Sequence, residues 1–150
     1  MPQSLSSIIL HIIFSTKNRE SMIREEIESE LHAYIASICR ACGSEAYRVG
    51  GTSNHIHIAC TLPRTLAASQ LLEEVKKSSS KWIKGKSRRY QAFSWQAGYA
   101  VFSVGRSQLD HLVRYIDGQK DHHRKKGFKE EVVKLLEKYG VEYNERYLMA

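Results

Sequence analysis

The stretch from Leu5 to Phe14 limits the fold more than any other part of the chain. It is dominated by Ile, Leu and Phe, with His11 inside it. Alternate side chains of a strand point to opposite faces, and here both parities are apolar. Such a strand is central to a sheet and needs apolar cover above and below. If the chain does not supply both covers, a second copy must. That need for a partner surface is consistent with a symmetric homodimer with two equivalent sites. The run ends in a polar loop, Ser15-Thr16-Lys17-Asn18-Arg19, with positive charges at Lys17 and Arg19.

The remaining periodicities supply the other elements. Ile23, Ile27, Leu31, Tyr34, Ile35 and Ile38 recur at helical spacing, and Gly43 is a natural stop. Ala46 to Gly50 reads as a short strand and Asn54 to Leu62 as a longer one. The Gly50-Gly51 pair between them predicts a hairpin turn. After Pro63, Leu71, Leu72, Val75, Trp82 and Ile83 mark a second amphipathic helix. It runs into Lys84-Gly85-Lys86-Ser87-Arg88-Arg89, the densest basic cluster of the sequence. Such a loop either grips phosphates without reading bases or is a solvated turn. Phe93 to Val104 predicts a fourth strand, bent or bulged at Gly98. Ser107-Gln108-Leu109-Asp110 has the Ser-x-x-acid pattern of a helix start, and a third helix should run to about His123. Phe128, Val132, Leu135, Leu136 and Tyr139 form a last helical stripe, stopped by Gly140.

The first six elements follow the order of a ferredoxin-like βαββαβ unit. The expected class is α+β: an antiparallel sheet, a tyrosine-bearing helix after it, and a final short helix. One domain should span residues 1–150. The first and third strands belong in the middle of the sheet.

Charge narrows the partner. The chain has 23 Lys plus Arg against 16 Asp plus Glu, a net charge of +7. That favours a polyanion, nucleic acid first. The three cysteines cannot all pair within the chain, which suits a reducing compartment. Cys39 and Cys42 form a C-x-x-C, but no second pair at zinc spacing follows. No leader pattern opens the chain, and no apolar run approaches the ~20 residues of a membrane span. A cytoplasmic protein without membrane contact is expected.

The third strand carries His55 and His57, two residues apart. Both imidazoles therefore leave one face, about 6.5 Å apart at Cα, within reach of one ion. In the later helical pattern Tyr115 and Gln119 lie four apart, on one side. His111, one turn before Tyr115, either hydrogen-bonds near the site or is a surface histidine, the second being favoured. His122 and His123, one turn past Gln119, either assist the metal or phosphate or form a solvated helix end, the second again being favoured.

These residues carry a resemblance. His55-Ile56-His57 is a His-hydrophobic-His motif, and Tyr115-Ile116-Asp117-Gly118-Gln119 is a Tyr-x-x-x-Gln motif on a later helix. With Phe14-Ser15-Thr16-Lys17 and Gly98-Tyr99-Ala100-Val101-Phe102-Ser103-Val104, the ordered set resembles the HUH-type single-tyrosine transposases. These are the small TnpA-like enzymes of bacterial insertion sequences, with the REP-associated tyrosine transposases as relatives. The resemblance implies that His55, His57 and Gln119 are metal ligands. It implies that Tyr115 attacks single-stranded DNA beside a hairpin, leaving a 5′-phosphotyrosine link and a free 3′-hydroxyl. It also implies dimers in which the tyrosine helix of one subunit can complete the other's site.

The chemistry asks for such parts. Ionising a tyrosine at pH 7 costs about 4 kcal/mol. A divalent ion beside the phosphate can offset developing charge. Two imidazoles and an amide oxygen suit Mg²⁺ or Mn²⁺, with imidazole leaning to the latter. Lys17, Arg19, Arg106 and Arg114, with Lys84, Lys86, Arg88 and Arg89, are the phosphate contacts that charge and placement offer. Gly118 lets DNA or another backbone approach the tyrosine helix, or is a tolerated surface glycine. Two rival readings are a domesticated module that binds single-stranded nucleic acid without cutting it, and a phosphoesterase using water. Neither needs Tyr115.

Overall fold

Every residue of the first strand is buried, and that determines how the other elements stack. The computed structural model describes residues 2–123, 125–148 and 150. In chain order the elements are β1 (Ile9–Ser15), α1 (Glu25–Ala41), β2 (Ala46–Gly51), β3 (His55–Thr61), α2 (Ala68–Lys84), β4 (Ala100–Val104), α3 (Leu109–Asp117), α4 (Gln119–His123) and α5 (Phe128–Lys138). The four strands form one antiparallel sheet in the order β2-β3-β1-β4. The first and third strands are central, as the ferredoxin-like order requires.

The two parities of β1 meet different layers. Leu10, Ile12 and Phe14, with Ile56, Ile58 and Cys60 of β3, pack against the apolar stripes of α1 and α2. On the other face the cover comes in two patches. Ile9 and Ala59 meet Leu109, Leu112 and Ile116 of α3. Ile13 and Phe102 meet Phe128, Val132 and Leu136 of α5. Burying one such side chain is worth about 1.5–3 kcal/mol, so both covers are strongly favoured. The second cover, expected in part from another copy, is supplied by this chain. The apolarity of β1 is therefore satisfied without a partner.

Between those two patches the same face carries His11, His55 and His57. In the register of β1 with β3, Ile13 pairs with His57, Ser15 with His55 and His11 with Ala59. The three imidazoles thus lie on one face, in the gap between α3 and α5.

Several expectations need correction. The glycine pair is not the hairpin turn: both residues end β2, and Thr52–Asn54 make the turn. Their role is close packing. A Cβ on Gly50 would lie 2.6 Å from Ile116 Cγ2, and one on Gly51 (φ +148°) 2.1 Å from the carbonyl oxygen of His55. The fourth strand is shorter than predicted. Regular pairing stops at Ala100, and residues 97–99 leave the ladder around Gly98, the predicted place of a bend or bulge. Pairing with the end of β1 resumes only as an isolated bridge, Trp95 with Thr16, while Phe93 and Trp95 join the core and the Gln96 side chain accepts from the Ser15 N–H. The third helix breaks at Gly118 into α3 and α4. A Cβ there would meet only backbone carbonyls of its own helix at ordinary contact distance. Among the described residues no other backbone approaches Gly118, and the glycine marks the break. Ser107 makes no capping bond, since a short 3-10 turn precedes α3.

Candidate active site

The site is assembled from both covers and the sheet. β3 contributes His55 and His57, β1 contributes His11, and α3 contributes Tyr115. α4 contributes Gln119 and His123. From α5 comes Glu131, a carboxylate that the sequence reading did not single out.

Each histidine of the pair is held by its outer nitrogen and offers its inner one. His57 Nδ1 lies 2.7 Å from His11 Nε2. His55 Nδ1 lies 2.8 Å from Asn54 Oδ1 and 3.0 Å from Thr52 Oγ1. Their Nε2 atoms turn to a common centre: that of His55 is 2.9 Å from Gln119 Oε1, and that of His57 is 3.2 Å from Glu131 Oε1. Outer partners of this kind fix ring orientation and tautomer at metal sites.

Glu131 is the hub. Its Oε1 also receives His123 Nε2 at 3.0 Å. Its Oε2 accepts from Gln119 Nε2 at 3.1 Å and, in a short hydrogen bond, from the Tyr115 hydroxyl. His122 Nε2 lies 3.4 Å away, without hydrogen-bond geometry. The Tyr115 ring stands edge-on to His57 and His11, with centroids 5.7 and 5.9 Å away. Tyrosine and histidine pair therefore meet within a single chain.

The electrostatics follow from burial and this wiring. Burial, then His57, lowers His11 to about 3. Burial, again with His57 second, lowers His55 to about 3. Both are neutral at pH 7, the form a metal ligand needs. For Glu131, burial pushes the carboxyl up, but hydrogen bonds from His123, His57 and Tyr115 outweigh it and hold it below the carboxylate range. Tyr115 is raised above the usual phenol value, by burial first and then by the Glu131 carboxylate. The nucleophile candidate is thus kept protonated at rest.

The donor set fits a divalent ion. One ligand atom each from His55, His57, His123 and Glu131 lies within 4.8 Å of the others, all on buried or half-buried residues. Gln119 adds an amide oxygen beside His55. Of the two readings of His123, this geometry fits the metal-assisting one and not the favoured solvated helix end.

The predicted basic residues divide. Lys17 and Arg19 are exposed on the turn after β1, beside Asn54. Arg114 is exposed next to Tyr115. Arg106 bonds the Tyr47 hydroxyl at 3.0 Å. Lys84, Lys86, Arg88 and Arg89 belong to the α2 end, in the layer across the sheet from the histidines. There Lys86 pairs with Glu30 and Arg89 with Glu26, each at 3.0 Å. The three cysteines are free and lie outside the site.

A buried histidine pair on a central strand, faced by a helix-borne tyrosine, defines the class of site. Residues 4–119 match the family described as "Transposase IS200 like", and the chain belongs to that family. It is a transposase, of the insertion-sequence kind that acts in DNA recombination. None of the curated proteins matches it significantly. Among solved structures, a candidate transposase from Deinococcus radiodurans R1 is 17% identical, with TM-score 0.61 over 79% of this chain and 98% of that one. A REP-associated tyrosine transposase bound to a REP hairpin is 19% identical, with TM-score 0.60 over 82% of this chain and 72% of that one. At such identities the likeness is one of fold. Glu131 lies beyond the matched residues, so no family motif points to it. Its signal is local: a carboxylate three residues after Phe128 and next to Val132, on the apolar stripe of its helix.

Proposed function

We propose that the chain cuts and rejoins single-stranded DNA at hairpin-marked ends, with Tyr115 as nucleophile. One observation carries this reading: the Tyr115 hydroxyl and the Nε2 atoms of His55 and His57 converge on one buried centre. A tyrosine kept only for packing would not need a carboxylate and two metal-ready imidazoles at its hydroxyl. The hairpin bound by the REP-associated relative supports the substrate class.

Tyr115 Oη attacks the phosphorus of a phosphodiester. A new P–O bond forms to the tyrosine, and the bond to the 3′ oxygen breaks. The hydroxyl proton leaves by way of Glu131 Oε2, the atom it already faces, and passes on to solvent, since the carboxylate is held ionised. The departing 3′ oxygen takes up a proton from water as it leaves. The 5′-phosphotyrosine keeps the energy of the broken bond, so a 3′-hydroxyl can reverse the reaction without ATP. His11 and Asn54 keep the two histidines aimed inward throughout.

His55, His57 and Gln119, with Glu131 and His123, would hold a divalent cation. When bound, it supplies Lewis-acid neutralisation of charge on the phosphate. The imidazole-rich set suits Mn²⁺ better than Mg²⁺. Because tyrosine and histidines meet within one chain, a homodimer would bring together two complete sites rather than build each from two chains.

The test uses a 3′-labelled single-stranded oligonucleotide bearing the palindrome that flanks the gene, incubated with Mn²⁺ and run on a denaturing gel. A protein–DNA band absent from Tyr115→Phe is expected. Cleavage without a band would favour water as nucleophile, and binding without cleavage a domesticated module.

A further inference from the structure

The +7 charge should meet the substrate somewhere, and the densest basic stretch lies across the sheet from the site, half neutralised by Glu30 and Glu26. Near the site, Arg48 is paired with Asp117 and Lys120 with Glu28. What remains is a cleft between α3 and α5 of about 680 Å³. Tyr115 and Glu131 line it, together with Lys126, Lys134, Lys138 and Tyr139. Among the described residues no carboxylate forms an ion pair with any of the three lysines. Lys126 sits close enough to Lys134 to disfavour its charge. Lys134 and Lys138 are one helical turn apart on α5. Lys138 lies over the Tyr139 ring at 5.6 Å and Glu130 bears on Lys134 without reaching ion-pair distance, so the cluster is not neutralised. Like charges gathered beside a nucleophile are arranged for an anion that is not part of the chain.

Tyr139 adds the second half of a single-strand site. It is 40% exposed at the end of α5, with its ring stacked on Phe102 at 4.7 Å and 16°. Proteins that hold single strands combine a basic groove with aromatic rings on which bases stack.

Resting on the reading of Tyr115 as nucleophile, we propose that single-stranded DNA reaches it along the α3–α5 cleft. Lys126, Lys134 and Lys138 hold its phosphates and Tyr139 stacks one base, while the Lys84–Arg89 stretch takes no part. The contacts are sequence-independent, so a labelled oligothymidylate is a sufficient probe.

Anisotropy titrations of the full chain with that probe, in chelator so that nothing is cut, are repeated over a salt series. Each phosphate contact on a single strand contributes about 0.7 to the slope of log K against log salt. Replacing Lys126, Lys134 and Lys138 together by Gln should lower the slope by about two. Replacing Lys84, Lys86, Arg88 and Arg89 by Gln should leave it unchanged. Tyr139→Ala should weaken binding about five- to 150-fold, with Tyr139→Phe close to wild type. An unchanged slope in the triple-lysine variant, or a loss of slope in the Lys84–Arg89 variant, overturns the path. The gel assay for the covalent band separates the two failures. A wild-type band with no effect of Lys126, Lys134 and Lys138 sinks the path alone. A wild-type protein that neither binds the strand nor forms the band sinks both.

Discussion

Replacing Glu131 by Gln tests the centre most directly, because it keeps the shape and removes only the charge. In the metal-free protein the carboxylate accepts from Tyr115, His57, His123 and Gln119 while almost fully buried. Hydrogen bonds to an ionised group contribute about 1.5–3 kcal/mol each, and neutral ones about 0.5–1.5. The variant weakens several bonds by about 1 kcal/mol each, and its amide nitrogen is a donor facing donors. Tyr115 and the imidazoles can turn to accept from it, which caps the loss. The net cost comes to about 3 kcal/mol. For a domain of this size that lowers Tm by about 6–12 °C. The assay is thermal unfolding in chelator, with Glu130→Gln as control, since Glu130 is the exposed neighbour on the same helix. The control should stay within about 0.5 kcal/mol of wild type. If Glu131→Gln melts within about 2–4 °C of wild type, the carboxylate is not the hub described and the site must be redrawn.

Four further outcomes follow from the same contacts. Mn²⁺ at about a hundred times its dissociation constant should stabilise the protein by about 2.7 kcal/mol in a melting experiment, and His55→Ala or His57→Ala should abolish the shift. His11→Phe keeps the ring but removes the outer partner of His57, so calorimetric Mn²⁺ affinity should fall about 10- to 100-fold. Gly50→Ala should cost about 1–3 kcal/mol in denaturant unfolding, since its Cβ meets Ile116 Cγ2 at 2.6 Å, and Ile116→Val should restore part of it. In chelator, stability should fall with acid: His11 and His55 stay neutral to about 3, whereas the unfolded chain's imidazoles take protons below 6.5. The unfolded state then binds more protons, so about 1.4 kcal/mol is lost per pH unit per group between those limits, and a flat profile from pH 6.5 to 5 would contradict the burial of both.

How much of this was legible in the sequence depends on range. The two-sided apolarity of Leu5–Phe14 and the helical stripes are local patterns, and they gave the element order and the central place of β1 and β3. The histidine pair and Tyr115 were legible because strand and helix periods set their faces. Identifying Glu131 and His11 as site residues needed knowledge of which face each packs against. His11 sat in an apolar run and read as part of it. Glu131 sat on an amphipathic helix whose docking place no local pattern states. Residues 93–99 followed the expectation only in part: the break at Gly98 and the bridge of Trp95 to Thr16 fit a bent strand, but regular pairing is lost where Trp95 packs on Phe14 and Phe93 on Trp95. Tertiary packing overrode propensity there.

The site and the cover of β1 have one physical origin. An unbroken apolar cover would have left the buried imidazoles without polar partners and with nothing to bind. Instead α3 and α5 dock as separate patches, on Ile9 with Ala59 and on Ile13 with Phe102. The strip between them cannot be filled by apolar side chains alone, because β1 and β3 present His11, His55 and His57 there. Buried imidazoles require partners, and the nearest groups able to supply them are those that α3, α4 and α5 carry on their inner edges: Tyr115, Gln119, His123 and Glu131. The helices that satisfy the first strand's second face therefore also deliver the hydroxyl, amide and carboxylate that make the histidines chemically useful. Moving α5 away would expose Ile13 and Phe102 and strip the hub from the site in one step. Stability and the proposed chemistry should accordingly fail together under substitutions at the Phe128–Val132–Leu136 stripe.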